Sequence, residues 1–249
     1  MGVLGEAWTW LATGSNWQGD SGVWSRLGEH VVVSGISLLL ACAIALPIGL
    51  YLGHLGKGGT LAINISNVGR AVPVFAVLAL FMISPLRNAG SVPTIIALVL
   101  FAVPPLLTNT YVGMREVDGS VVEAARGMGM SGGQLFVRVE LPLAYSMIMA
   151  GLRSAAVQVV ATATIAAMVG QGGLGRIITA GFNTSNTPQV VAGAVLVAVL
   201  ALLVEGALVV LDKLIDPAAT PAAAASAASP ATPPAGGAAS GRTVSRKTV

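Results

Sequence analysis

The stretch Glu123-Ala124-Ala125-Arg126-Gly127-Met128-Gly129, with Leu141-Pro142 beyond it, holds the residue types and spacing that best define what this chain does. Its chemistry is contact, not catalysis. Ala124, Ala125 and Gly127 would let another protein's backbone approach closely, and the flexible Met128 can fill an irregular cleft; ordinary helix propensity is the other reading of the two alanines, and capping of its own helix that of Glu123. Ser120-x-x-Glu123 has the spacing of a capping box, with Asp118 competing for the same cap, and Gly129 suits a left-handed helix stop. Ser131-x-x-Gln134 repeats the capping spacing, so a second short helix is expected to run towards Glu140, with Pro142 in the first turn of the next long helix. A compact polar loop between apolar segments predicts a part gripped from outside the bilayer.

Other chemistry-bearing residues fall inside apolar runs. A charge at mid-helix costs about 2.5–3.5 kcal/mol on insertion scales, so it faces protein or a water-filled cavity. Arg70 and Arg153 meet that description and are candidates for a pathway or gate contact, or for ties between helices with Glu205 as a partner. Pro73 is expected to free a carbonyl and kink its helix beside Arg70. Asn109, Thr110 and Tyr111, near the end of an apolar run, are candidates for the pathway or for interhelical bonds. Gly170–Gly175, with Gly172 and Gly173 at its centre, reads as a flexible gate or a plain turn; it lacks the Lys-Ser/Thr ending of a phosphate loop. His30 and His54 flank one apolar run, too far apart to share a metal, and are expected at the interface, while Cys42 is a small packing residue. No catalytic constellation is visible, so no metal and no cofactor is expected on this chain.

The elements that carry these residues follow from composition. The chain has 249 residues, 55% hydrophobic and 9% charged, far below the about 25% charged residues of a soluble domain. Apolar runs at 31–56, 58–86, 88–114, 141–169 and 188–211 predict about five transmembrane helices in an all-α integral membrane protein, and period-two alternation is absent. With the Glu123 loop inside, Lys57, Arg115, Arg126, Arg138, Lys213, Arg242, Arg246 and Lys247 are cytoplasmic, against Arg26, Arg87 and Arg176 outside. The positive-inside rule therefore predicts an N-out, C-in arrangement. Trp8, Trp10, Trp17 and Trp24 all precede the first run, so residues 1–28 are expected along the outer surface at headgroup level. No Lys or Arg precedes Arg26, so the first apolar run is expected to direct insertion. Residues 29–215 form the expected membrane domain, with its loop at 115–142. Residues 216–249, rich in Ala and Pro with a basic end, are expected to be a disordered cytoplasmic tail able to touch anionic lipid. A net charge of +3 gives no footprint for nucleic acid.

The run Glu123-Ala124-Ala125-x3-Gly129-x9-Val139-x-Leu141-Pro142 resembles the E-A-A-x3-G-x9-I-x-L-P signature of membrane-spanning subunits of binding-protein-dependent ABC importers, with Val139 in place of Ile. The resemblance implies a type I importer permease bundle. It also implies that residues 120–131, including Ser120, Glu123, Ala124, Ala125, Gly127, Met128 and Gly129, form the helix seated in a cytoplasmic ATPase. Asn109-Thr110-Tyr111-x-Gly113 and Ala150-Gly151-Leu152-Arg153-Ser154-Ala155 are similar to segments of permeases for glycine betaine, carnitine, choline and related osmoprotectants. Gly170–Gly175 is similar to a segment shared with methionine importers, and Arg70 stands where many osmoprotectant permeases carry Gln. The similarity covers about residues 25–212. It implies partners: ATPase subunits holding ATP and Mg, a second permease subunit (identical or paralogous), an extracytoplasmic solute-binding protein, and membrane lipid. A methionine or other amino-acid importer and an ion-coupled carrier are the alternatives.

Overall fold

The computed structural model describes residues 2–167 and 172–215; the expected tail at 216–249, and Gly170 and Gln171 of the glycine cluster, lie outside the described residues. Among the described residues the chain is helical. Its elements are α1 (Val3–Ala12), α2 (Val23–Leu55), α3 (Gly59–Ala71), α4 (Val74–Ile83), α5 (Val92–Arg115), α6 (Gly119–Gly127), α7 (Gly132–Leu135), α8 (Leu141–Ala166), α9 (Gly175–Asn183) and α10 (Thr187–Ile215).

Four helical stretches are long and apolar enough to cross a membrane: α2, α5, Gly132–Ala166 and α10. The second expected span differs. The run at 58–86 is two shorter helices, α3 and α4, broken at Val72-Pro73. The kink expected at Pro73 is thus a complete break. Proline pushes the preceding residue out of the helical region, and Val72 is extended at φ −77°, ψ 122°. Pro73, itself at ψ 117°, becomes the N-cap of α4. Within α5, by contrast, Pro104 and Pro105 leave the helix continuous.

The core is the seam of α2, α5 and α8. Ala41, Ala45, Leu98, Ala102, Leu106, Ala155, Val159 and Ala163 are buried there. α5 sits between the other two, and small residues set the spacing as they do in lipid, where packing must replace the hydrophobic drive. A Cβ on Gly151 of α8 would lie 2.7 Å from Cβ of Asn109 on α5. One on Gly113 of α5 would lie 2.7 Å from Cβ of Met147 on α8. These are backbone-anchored atoms that cannot swing away. Gly151→Val is therefore expected to push α5 and α8 apart and destabilise the bundle by about 1–3 kcal/mol or more, the usual cost of overpacking. A melting curve in detergent that matches wild type would contradict this close approach.

α10 packs with α1, α8 and α9 at the edge of the bundle. There Val23, Val160, Leu174, Ile177, Val197 and Leu200 form a second apolar cluster against which Trp10 and Trp17 lie. Trp17 donates its Nε1–H to the Leu11 carbonyl at 2.7 Å, which folds the segment after α1 back before α2 begins at Val23.

Candidate functional site

The loop between α5 and α8 is built from two short capped helices and a π-helical turn. Asp118, not Ser120, caps α6: its Oδ1 accepts the Ser120 N–H at 2.8 Å. The capping box expected at Ser120 and Glu123 is not formed, because the chain enters the helix two residues earlier, and Glu123 is exposed. Hydrogen bonds from the Ser120 backbone and side chain hold the Asp118 carboxyl below the usual carboxylate range. The cap therefore operates at neutral pH and weakens only when acid protonates Asp118.

At its other end α6 closes with a Schellman arrangement. Gly129 sits at φ 81°, its N–H donates to the Arg126 carbonyl at 2.9 Å, and the Met130 N–H donates to the Ala125 carbonyl at 3.2 Å. Gly129 thus acts as the left-handed stop its position suggested. The second capping box is present in full: Ser131 accepts from the Gln134 N–H, and the Gln134 side chain accepts from the Ser131 N–H at 2.9 Å. From α7 the chain passes through a π-helical turn, Phe136–Glu140, into α8, with Pro142 in the first turn.

This architecture sorts the residues expected to make the contact. Ser120, Glu123, Ala124, Gly127, Met128 and Gly129 are exposed, with Met128 at 73%. Ala125 is not presented; it is 2% exposed, and α6 packs against α7 and the π-turn. Its small side chain seats the helix on the loop below and is not part of the outward surface. The loop is also tied to the bundle: buried Glu140 bonds Nδ1 of His54 at the end of α2, and the His54 ring stands edge-on to Phe136 with centroids 5.4 Å apart. His54 is therefore a strut, where sequence placed it at an interface.

Among the described residues the candidates within the spans do not converge on one point. Asn109 is half-buried, donates to the Pro105 carbonyl of its own helix at 2.9 Å and faces Gly151 of α8. Tyr111 turns instead to α3, where its hydroxyl abuts Gly59. The side chain of Arg70 lies outside the described residues, and Pro73 is exposed at the break between α3 and α4. Beside that break lies an apolar groove of about 570 Å³ lined by Val68, Val72, Val77, Leu100 and Phe101. Arg153 is partly exposed and lies 3.7 Å from Asp212 of α10. Arg153 thus makes a tie between helices with Asp212, seven residues beyond Glu205 on α10, while Glu205, the partner suggested for Arg70, lines an open cavity with Arg153.

At the opposite end of the bundle the glycine segment is pinned. The Gly173 N–H donates to Oε2 of Glu29 at 2.7 Å, and the Leu174 N–H donates to Nδ1 of His30 at 3.2 Å. His30 Nε2 lies 2.9 Å from the Val160 carbonyl. Since Nδ1 accepts, Nε2 carries the proton and donates to that carbonyl, so the ring bridges α2, α8 and the start of α9. His30 is 2% exposed, which corrects its expected interfacial place. Gly173 has φ 94°, and a Cβ there would meet His30 Nδ1 at 3.0 Å; at Gly172 it would run into Glu29. The glycines serve close approach to α2 as well as turning. Behind them lies a cavity of about 140 Å³ lined by Glu29, His30, Ser91 and Thr94, ample for several waters. Among the described residues the buried Thr94 hydroxyl has no hydrogen-bond partner.

Comparison with known proteins shows the family of the chain. The family model for the binding-protein-dependent transport system inner membrane component matches residues 45–217. The chain belongs to that family. The permease is 41% identical over 191 residues to the carnitine transport permease protein OpuCB of Listeria monocytogenes, covering 77% of this chain and 87% of that protein. It is 36% identical over 192 residues to the glycine betaine/carnitine/choline transport system permease protein OpuCB of Bacillus subtilis (strain 168), covering 77% and 88%. Its fold matches a chain of the MetNI methionine ABC transporter solved in an inward-facing conformation, with TM-score 0.65 and 22% identity, covering 77% of this chain and 95% of that one. The permease is thus a multi-pass transporter subunit of the bacterial plasma membrane and not an enzyme; hydrolysis is the work of a separate ATPase subunit.

Proposed function

We propose that this permease forms the translocation pathway for a small quaternary-ammonium osmoprotectant of the glycine betaine, carnitine or choline type. The relatives at 41% and 36% identity carry this reading, since their printed substrates are such compounds and the match runs over 77% of the chain. The likeness to a methionine transporter, at 22% identity, speaks for the fold alone. In the proposed assembly, two permease subunits, identical or paralogous, sit over two cytoplasmic ATPase subunits that hold ATP and Mg. A solute-binding protein delivers cargo from outside, with the N-terminus out and residues 1–28 along the outer surface.

The exposed face of Glu123, Ala124, Gly127 and Met128 enters the ATPase cleft. The Schellman close, the Ser131 box and the Glu140–His54 strut make the loop stiff enough to pass a push on to α2 and α8. The exposed break at Val72-Pro73 fits this assembly as well. Irregular backbone is tolerated at membrane depth only where protein covers it or water reaches it. A second permease subunit or the pathway itself meets that need, and Arg70 stands two residues before it. Gly172 and Gly173, latched by Glu29 and His30, act as the outer gate, with Asn109, Tyr111 and Arg153 supporting the helices around the path.

Reconstitution of the permease with its ATPase and binding protein, with each labelled solute supplied in turn, tests the cargo. ATP-dependent uptake of glycine betaine, carnitine or choline is expected, with none of methionine. Uptake of methionine alone would overturn the assignment, and uptake by the permease alone in ATP-free vesicles would favour an ion-coupled carrier.

A further inference from the structure

A cavity of about 230 Å³ lies between α1, the turn before α2, α9 and α10, lined by Trp10, Ser21, Arg26, Arg176, Asn183 and Gln189 among others. Its described lining contains two arginines and no acid. Arg26 gives Nη1 to both oxygens of Glu29, at 2.9 and 3.1 Å, so that charge is neutralised from behind. Arg176 is exposed and supplies one excess positive charge at the rim.

The depth of the cavity narrows its occupant. Along α2, the first well-exposed aliphatic residues after Arg26 are Val31 and Val32, at 49% and 57%; Val31 is about 7–8 Å away at the helical rise. Along α10, Gln189 precedes exposed Val195 by about 9 Å on the same rise. The polar layer of a bilayer spans about 5–8 Å beyond each face of the hydrocarbon. The α2 measure falls inside that layer and the α10 measure about 1 Å beyond it, which sets the cavity at the outer part of the headgroup level. Trp8 on α1 and Trp24 on α2, exposed at 73% and 63%, stand within one helical turn in sequence of the lining residues Trp10 and Arg26, and exposed indole rings favour that level.

We propose that this cavity binds the phosphate of an anionic phospholipid, with Arg176 contacting the phosphodiester, Asn183, Gln189 and Ser21 contacting the headgroup, and the acyl chains descending along α2 and α10. One uncompensated positive charge matches one net negative charge and discriminates against zwitterionic lipid.

Native mass spectrometry of the delipidated full chain, titrated with phosphatidylglycerol, phosphatidylcholine or soluble glycerol phosphate, tests the site. Tight binding of one phosphatidylglycerol is expected, about fivefold stronger than phosphatidylcholine, the factor one charge supplies near an anionic surface. Arg176→Gln should erase that preference and Arg176→Lys should retain it. Thr179→Glu, which adds a negative charge to the lining, should also erase it and serves as the second variant if Arg176→Gln does not fold. Equal binding of both lipids to wild type would overturn the proposal. So would unchanged preference in both charge variants, as expected if the arginines instead serve an acidic protein partner, or glycerol phosphate binding as tightly as the lipid.

Discussion

Met128→Arg is expected to leave the permease folded in the membrane and to lower ATP-driven uptake at least thirtyfold. Met128 is 73% exposed, so the folded chain loses little when it changes; surface substitutions usually stay within about 0.5 kcal/mol. A partner's cleft is another matter. A bulky charge forced into a desolvated contact at the centre of an interface costs about 2 kcal/mol or more, roughly a thirtyfold loss of association. Ala124→Arg should behave alike, because Ala124 is also exposed on α6. Ala125→Arg is no clean test: its side chain is buried under the loop, and the substitution would unseat α6 itself. Pull-down of the ATPase alongside uptake separates the two effects. Uptake within twofold of wild type for both Met128→Arg and Ala124→Arg would mean that α6 is not the contact.

His30→Phe is expected to give the largest loss of stability at the end of the bundle that carries Gly173 and Leu174. Phenylalanine fills the ring volume but offers neither acceptor nor donor. The Leu174 N–H then has no partner in a site where Leu174 and His30 are both buried. The Val160 carbonyl lies inside α8 and keeps its helical environment, so it suffers less. A buried unsatisfied group costs about 1–3 kcal/mol, and with weakening of the neighbouring Glu29–Gly173 bond we expect about 2–4 kcal/mol in all. Thermal unfolding in detergent reads the stability. Hydrogen exchange at the Leu174 amide reads the latch, and protection equal to wild type would show that His30 does not hold the segment.

How far these parts could be read from sequence depends on how local their causes are. Ser131 and Gln134 lie within one turn, and the box they form was legible from spacing. Gly129 was legible for the same reason, since a left-handed residue is a local requirement. Asp118 and Ser120 were both good caps two residues apart, and spacing alone did not choose between them. Hydropathy located the long helices, yet it averaged over Val72-Pro73 and missed that the second span is two pieces. The electrostatic ties were out of reach. Glu29 and His30 meet Gly173 and Leu174 across 144 positions, and His54 meets Glu140 across 86. Glu205 and Asp212 are seven residues apart on α10, two turns on one face; sequence named only Glu205, and packing places Asp212 against Arg153. Burial of Ala125 was hidden because alanine suits an exposed contact and a tight seat equally well.

Coupling must also be sufficient in energy. Moving a two-state bundle from nearly all inward-facing to nearly all outward-facing takes a differential of about 5.5 kcal/mol. Nucleotide supplies this only through its different affinity for the two ATPase arrangements, and the loop must transmit it without yielding. The capped, strutted construction of residues 118–140 suits that demand.

Site-directed cross-linking from α6 tests most directly whether force enters the bundle there. With the native Cys42 changed to serine and Met128 to cysteine, a thiol cross-linker is applied to native membranes with and without ATP. The account predicts a cross-link to a nucleotide-hydrolysing subunit whose yield changes with nucleotide. Capture of Met128→Cys from the outer side of the membrane by an impermeant reagent, with no ATPase adduct, would contradict it.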